Sequence, residues 1–220
     1  MNLNNLEILF WDFDGVIKES VSVKTDAFEE LFKPYGKIIS NKVKYHHTAN
    51  GGMSRFEKIP LYLKWANIEP TNKKVKEMSS QFGSIVKNRV INSKWVPGVR
   101  DFIENYNTKK ISIIVSATPQ DELDEICLAL DLNKFFSNIY GSPVSKSNAI
   151  KDSIDFYGIS SNKCLMFGDA QTDIDAAREN NINFIFRLHD HNKNLNIDSD
   201  IKTIKDFRNI SNLFQKKKWI

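Results

Sequence analysis

The chain has 220 residues, of which 41% are hydrophobic and 26% are charged, and its net charge is +4. This composition is typical of a globular protein and excludes a disordered or collagen-like chain, and so small a charge is not typical of a nucleic-acid binder. No basic stretch followed by a long apolar one opens the sequence, and no later run is as long as a membrane span. We therefore expect a cytoplasmic protein that binds neither nucleic acid nor a membrane.

Strand-like and helical patterns alternate along most of the chain. Apolar runs predict strands at residues 7–13, 110–116, 138–140, 163–167 and 183–188. Apolar residues at three- and four-residue spacing predict helices at residues 99–106, 120–132, 147–157 and 172–180, and in the tail at 204–214. The main apolar runs are continuous rather than alternating, which is typical of a parallel sheet covered on both faces. The pattern thus predicts an α/β fold with a doubly wound parallel sheet.

One long segment after the first strand interrupts this alternation. Residues 21–94 show helical patterns and no strand, and Val96-Pro97-Gly98 marks the return to the sheet. We predict a core domain at residues 1–19 and 96–220 and an inserted helical cap at residues 20–95. The cap carries 14 Lys and Arg residues against 6 Asp and Glu residues, so the positive charge is concentrated there.

Carboxylates follow two of the predicted strands. Asp12 and Asp14 end the first apolar run two positions apart, so that in a strand both side chains point the same way. Their repulsion is costly unless a cation lies between them or one keeps a proton. Asp169 and Asp173 follow the strand at 163–167. The carboxyl ends of parallel strands meet at one edge, so we expect these four carboxylates to share a crevice.

A hydroxyl and a lysine complete the predicted crevice. Ser116 ends the second long apolar run, and Lys146 precedes the helix predicted at residues 147–157, where Lys151 is a rival one turn further on. Oxygen ligands suit Mg²⁺ and cationic donors suit phosphate. The combination predicts a site that handles a phosphate group together with a magnesium ion.

Four motifs resemble, in order, those of the haloacid dehalogenase superfamily, of the phosphoglycolate phosphatase and β-phosphoglucomutase type. They are Phe10-Trp11-Asp12-Phe13-Asp14-Gly15-Val16-Ile17, Ile114-Val115-Ser116-Ala117-Thr118, Lys146, and Gly168-Asp169-Ala170-Gln171-Thr172-Asp173. The resemblance covers roughly residues 7–188 and implies that the inserted segment is a helical cap. It also implies a phosphoric monoester hydrolase.

The resemblance implies a role for each matching residue. Asp12 becomes the nucleophile that forms an aspartyl phosphate. Asp14 becomes the general acid and base, so we expect its pKa to lie above the usual ~3.9 of an Asp. Ser116 and the backbone N–H groups of Phe13, Asp14 and Ala117 are implied to hold phosphoryl oxygens, while Lys146 neutralises charge during transfer.

The resemblance also implies the ligands of the magnesium ion. They are the carboxylate of Asp12, the backbone carbonyl of Asp14 and the carboxylate of Asp169. Asp173 either supports these ligands without touching the ion or is an occasional direct ligand. The implied substrate is a small anionic phosphorylated metabolite. We expect the enzyme to be a monomer or a weak homodimer.

The charge of the cap predicts a positive field over the site. Arg55 is the leading candidate to bind a second negative group of the substrate, because it follows Gly51-Gly52 on a segment that in related proteins reaches over the pocket. An ordinary solvated arginine is the alternative, and His46 and His47 rank behind it.

Three other functions remain open at this level. A phosphomutase would use the same Asp12 and Asp14 but return the phosphoryl group to a sugar. A dehalogenase needs no metal and would leave Asp14 and Asp169 without a role. A catalytically inactive scaffold of the same fold is the third alternative, although no position in the four motifs has lost its functional group.

Overall fold

A computed structural model describes residues 5–106 and 110–210 of the chain. Its elements are β1 (Ile8–Trp11), α1 (Val21–Phe32), α2 (Lys37–Ala49), α3 (Arg55–Trp65), α4 (Asn72–Asn92), α5 (Val99–Tyr106), β2 (Ile111–Pro119), α6 (Gln120–Ala129), β3 (Asn138–Ser142), α7 (Lys146–Tyr157), β4 (Cys164–Gly168), α8 (Gln171–Glu179), β5 (Asn183–Arg187) and β6 (Lys202–Ile204). Among these residues, no helix combines the length and hydrophobicity that crossing a membrane requires.

The six strands form one parallel sheet in the order β3-β2-β1-β4-β5-β6. The doubly wound α/β fold predicted from the sequence is therefore confirmed. Strand β1 lies between β2 and β4, where the order of connections reverses. In an open α/β sheet the crevice beyond this point is the usual place for a ligand.

The buried apolar residues form two clusters, as a sheet covered on both faces requires. Successive side chains of a strand alternate between faces, so Leu9 and Trp11 belong to one cluster and Ile8 and Phe10 to the other. The cluster of Trp11 continues into the helices α1 to α4. Phe28 lies there against Phe82, with ring centroids 4.0 Å apart.

The inserted segment is helical, as predicted, with α1 to α4 spanning residues 21–92 between β1 and α5. The exact boundaries of the two predicted domains, at 19/20 and 95/96, stay a prediction. Burial of apolar faces in the shared cluster holds these helices against the sheet domain.

The tail differs from the prediction of a helix at residues 204–214. Lys202–Ile204 instead adds a sixth, edge strand to the sheet, where Arg187 pairs with Ile204. Residues 205–210 contain no helix, so the prediction is wrong there, and residues 211–214 lie outside the described part. Phe207 packs on the ring of Trp11 at 5.5 Å, so the apolar spacing of the tail reflects burial on the core.

Candidate active site

The predicted site residues meet at the carboxyl end of the sheet. Trp11 pairs with Ile114 of β2 and Phe167 of β4, and the N–H of Asp12 donates to the carbonyl of Phe167 at 2.9 Å. This register places Asp12 level with the end of β4, after which Asp169 follows directly.

Three buried carboxylates gather around the end of β1. Oxygen atoms of Asp12, Asp169 and Asp173 all lie within 4.8 Å of one another. Lys146 lies between them, with its Nζ 3.0 Å from Asp12 Oδ1 and 2.5 Å from Asp173 Oδ1. The N–H of Phe13 donates to Asp12 Oδ1 at 2.7 Å, so two donors fix the orientation of this carboxylate.

Asp173 ties helix α8 to the loop that precedes it. Its Oδ2 accepts hydrogen bonds of 3.0 Å from the backbone N–H groups of Asp169 and Ala170. A Cβ at Gly168 would lie 2.3 Å from the Cβ of Asp173, so the close approach requires glycine there. Asp173 thereby orients the loop that carries Asp169.

The electrostatics of this cluster fit a divalent cation. Burial raises the pKa of Asp12 well above its usual range, against the opposing effect of Lys146, and the neighbouring carboxylates add to the rise. Burial and the charge of Asp173 raise the pKa of Asp169 to about 8. Carboxylates that resist ionisation because they crowd together become stable ligands once a cation separates them, and an all-oxygen donor set suits Mg²⁺.

The side chain of Asp14 is not part of this cluster, although it lines the same cavity as Asp12. Its Oδ1 accepts from the hydroxyl of Ser20 at 2.6 Å, and its Oδ2 forms an ion pair with Lys24. Although burial alone would raise the pKa of Asp14, the charge of Lys24 holds it below its usual value. The expectation of a raised pKa for Asp14 is therefore wrong for this arrangement, because the sequence did not reveal Lys24 as its partner.

Ser116 lies within β2 and points to the same side as Thr118. The hydroxyl of Ser116 donates to Thr118 Oγ1 at 3.2 Å, and Lys24 donates to the same Oγ1 at 2.8 Å. Thr118 also donates to Asp14 Oδ2 at 3.4 Å. Sequence reasoning missed Thr118 as a member of the site, although the period of two along a strand links it to Ser116.

Lys146, and not Lys151, reaches the carboxylates. Lys146 is buried and begins helix α7. The Lys151 side chain is 66% exposed and pairs with Asp155 one turn further along the same helix. Of the two lysines that the sequence left open, only Lys146 therefore contacts the carboxylate cluster.

A second layer of side chains, which the sequence analysis missed, holds Asp169. Its Oδ2 lies 2.7 Å from His189 Nε2, and its backbone carbonyl accepts from Asn192 at 2.9 Å. Burial and the nearby Arg187 lower the pKa of His189 to about 4. Its Nδ1 accepts from the N–H of His191 at 3.2 Å, so the neutral ring carries its proton on Nε2 and donates to Asp169. Such contacts orient a ligand group and tune its basicity. Both residues follow β5 in a loop with no motif to signal them.

The cap closes over the site through its loop at Gly51-Gly52. A Cβ at Gly52 would lie 1.9 Å from Thr172 Oγ1 at the start of α8, so this loop rests directly on the sheet domain. A cavity of about 50 Å³ lies between the two and is lined by Asp12, Ser116, Lys146 and Asp169 from below and by Lys24 and Lys58 from the cap.

Arg55 also lines this cavity, but its guanidinium is occupied. Both terminal nitrogens donate to the carboxylate of Glu122 on α6, at 2.9 and 2.6 Å, and the ring of Phe82 lies 4.5 Å from the guanidinium carbon. Arg55 is 6% exposed, so it is not the solvated arginine of the alternative interpretation. It joins the cap to the sheet domain in this arrangement, and its predicted contact with substrate stays a prediction.

The fold and the acidic cluster together define a class of protein, the doubly wound α/β proteins with a helical insert over a carboxylate site. The family model for haloacid dehalogenase-like hydrolases matches residues 8–186. The chain therefore belongs to the haloacid dehalogenase-like hydrolase family, and it is an enzyme of the hydrolase class. The resemblance drawn from the four motifs is confirmed.

Individual relatives are similar at low sequence identity. A "Phosphorylated carbohydrates phosphatase" from Thermotoga maritima is 22% identical over 187 residues, which cover 82% of this chain and 84% of the relative. A predicted phosphoglycolate phosphatase from Haemophilus somnus has a similar crystal structure, with a TM-score of 0.76, 21% identity and coverage of 96% and 99% of the two chains. CbbY from Rhodobacter sphaeroides, solved in complex with phosphate, has a TM-score of 0.74 at 13% identity and coverage of 93% and 96%.

Proposed function

We propose that this enzyme is a Mg²⁺-dependent phosphatase that hydrolyses a small organic phosphate monoester through an aspartyl phosphate on Asp12. The observation that carries the proposal is the buried cluster of Asp12, Asp169 and Asp173, whose oxygen atoms lie within 4.8 Å of one another, with Lys146 bridging Asp12 and Asp173. Relatives named as phosphatases, and a phosphate complex of a structural neighbour, support phosphate as the group transferred.

Each covalent step assigns a role to a residue of the chain. A carboxylate oxygen of Asp12 attacks phosphorus and the ester P–O bond breaks, with Asp14 giving its proton to the departing alkoxide. Water then attacks the phosphorus of the aspartyl phosphate, Asp14 takes the proton, and Asp12 is regenerated. Asp14 must therefore hold a proton in the first step, which requires Lys24 to release it when substrate binds.

Charge on the phosphoryl group is compensated by fixed donors. Ser116 and the N–H groups of Asp14 and Ala117 hold its oxygens, as does the N–H of Phe13 once it releases Asp12 Oδ1, and Lys146 already lies beside the nucleophile. Magnesium would be held by Asp12, the backbone carbonyl of Asp14, and Asp169, with Asp173 behind, and when bound it supplies electrostatic stabilisation of the transferring phosphoryl group.

The proposed setting follows from the same reasoning. We infer a cytoplasmic enzyme, monomeric or weakly dimeric, that acts on a small anionic metabolite. A phosphomutase would use the same residues, so the product distinguishes the two functions. Release of inorganic phosphate supports the phosphatase, whereas isomerisation of a sugar phosphate without release contradicts it.

Removal of magnesium is expected to abolish turnover. Phosphate release from a panel of phosphorylated sugars and short acids should fall to the uncatalysed rate in EDTA and return with excess Mg²⁺, because the crowded carboxylates need the cation. Mg²⁺ should also raise the melting temperature of the resting enzyme, since it binds only the folded state.

Two variants on one short stretch of chain control this test. Asp169→Asn should lose the Mg²⁺-dependent rise in melting temperature. The exposed Asp175→Asn, on the adjoining helix α8, should keep it. Undiminished turnover in EDTA would contradict the metal requirement.

A further inference from the structure

Three cations of the cap line the cavity above Asp12, and two of them have carboxylate partners. Lys24 pairs with Asp14, and Arg55 pairs with Glu122. Lys58 lies within ion-pair distance of no carboxylate among residues 5–106 and 110–210. It is therefore the cap cation in this cavity whose charge the described protein leaves uncompensated.

Lys58 is held in place although it is buried. It is 1% exposed, its Nζ lies 2.9 Å from His47 Nδ1, and it donates to the carbonyl of Gly51 at 3.4 Å. His47 is itself buried, with its ring 4.8 Å from that of Phe28. Burying a cation without a counter-charge opposes folding, so a bound anion that supplied the counter-charge would stabilise this position.

The geometry points to a subsite formed by Lys58, His47 and the Gly51 loop that binds a second anionic group of the substrate, a carboxylate or a second phosphate. This assignment rests on the proposed phosphatase activity, because it places the phosphoryl group at Asp12 and the second anion under the cap. An incoming anion supplies the counter-charge that Lys58 lacks. The cavity volume of about 50 Å³ holds only a few water molecules, which favours a short carbon chain between the two groups.

The titration of Lys58 fits this role. Burial, followed by repulsion from Lys24, lowers its pKa to about 7, while the negative charges of Asp14 and Glu57 oppose that change. His47 stays neutral at this pH because burial and Lys58 itself lower its pKa well below the usual value. An anion that binds beside Lys58 therefore selects its charged form.

Matched substrate pairs test the subsite. Carboxymethyl phosphate is compared with ethyl phosphate, and ethylene glycol bisphosphate with the monophosphate. Lys58→Met should lower kcat/KM about 30-fold or more on the doubly anionic member of each pair, the usual scale for losing a charge-assisted hydrogen bond, and less than about 3-fold on the other member.

Three further variants separate recognition from general effects. Lys64→Met removes an exposed charge from the same helix and should change neither rate. Arg55→Met should lower both rates equally, because it breaks the contact with Glu122. Lys58→Arg should restore most of the preference, since it keeps the charge.

Two readouts would not follow from a purely structural role. For the doubly anionic substrate, wild-type kcat/KM should fall as pH rises through about 7, and Lys58→Arg should move that fall to higher pH. The pKa of Lys58 is lower in the folded than in the unfolded chain. At pH values between these two pKa values the unfolded chain binds more protons, so the stability of the folded protein rises with pH in that range. Lys58→Met should accordingly raise the melting temperature at neutral pH while turnover falls.

The subsite and the proposed function fail in different ways. An equal loss by Lys58→Met on both members of each pair, or a lower melting temperature, would overturn the subsite. Calorimetric binding to Asp12→Asn protein needs no turnover, and it should prefer the doubly anionic member only while Lys58 is present. Such a preference in an enzyme that releases no phosphate would refute the phosphatase and keep the subsite, whereas its absence would refute the subsite.

Discussion

Asp12→Asn is expected to lower phosphate release by at least about 1,000-fold while the protein stays folded. The amide has nearly the same shape as the carboxylate but is not a nucleophile at phosphorus. Steady-state release of inorganic phosphate measures the effect, and circular dichroism checks the fold.

The control for this variant is the exposed Asp175→Asn, which should keep normal turnover. Normal turnover by Asp12→Asn on any phosphate ester would show that the nucleophile lies elsewhere. A loss shared equally by both variants would also remove the special role of Asp12.

Lys146→Met is expected to harm both catalysis and stability, whereas Lys151→Met should affect neither. Lys146 contacts Asp12 and Asp173 in a buried site, and removing one partner of such a cluster costs about 3 kcal/mol or more in the free energy of unfolding. Loss of charge compensation should lower kcat by about 100-fold or more.

Lys151 is the matched control because it lies about one turn further along the same helix and its ion pair with Asp155 is exposed. Its removal should change the free energy of unfolding by less than about 0.5 kcal/mol. Denaturant unfolding and phosphate release measure the two effects. The assignment would be reversed if Lys151→Met lost turnover and Lys146→Met did not.

The strands and helices of the sheet domain follow from local patterns. Apolar runs predicted β1 to β5, and three- and four-residue spacing predicted α5 to α8, because these elements turn their apolar residues toward the core. The edge strand at residues 202–204 was missed, since three residues with one buried side chain carry no such signal. The tail was assigned to a helix because its apolar residues, including Phe207, are buried on the core without forming one.

The acidic cluster could be placed from the sequence because its members end neighbouring strands. Asp12 and Asp169 follow β1 and β4 directly, and parallel register brings such positions together. Partners supplied from afar could not be placed. Lys24 reaches Asp14 from a cap helix and His189 reaches Asp169 from a loop, so the lowered pKa of Asp14 was invisible to the sequence.

The sequence shows the excess of positive charge in the cap, but it does not show which of these cations have carboxylate partners. Counting residues showed the surplus of Lys and Arg, and the position of Arg55 just after Gly51-Gly52 favoured it as the substrate contact. The structure pairs Arg55 with Glu122 of α6 and leaves Lys58 without a carboxylate among the described residues, while contact between Arg55 and substrate stays a prediction. Which cation is compensated depends on contacts between helices that are far apart in sequence, and composition carries no such information.

The most direct test of the mechanism is to trap the covalent intermediate. The enzyme is mixed with Mg²⁺ and a phosphate ester that it hydrolyses, and the reaction is quenched in acid within one turnover. The protein is then digested and analysed by mass spectrometry. We predict one added phosphoryl group on the peptide that contains Asp12, dependent on Mg²⁺ and absent from Asp12→Asn. Phosphate release with no phosphorylated Asp12, or with the group on another residue, would contradict the account.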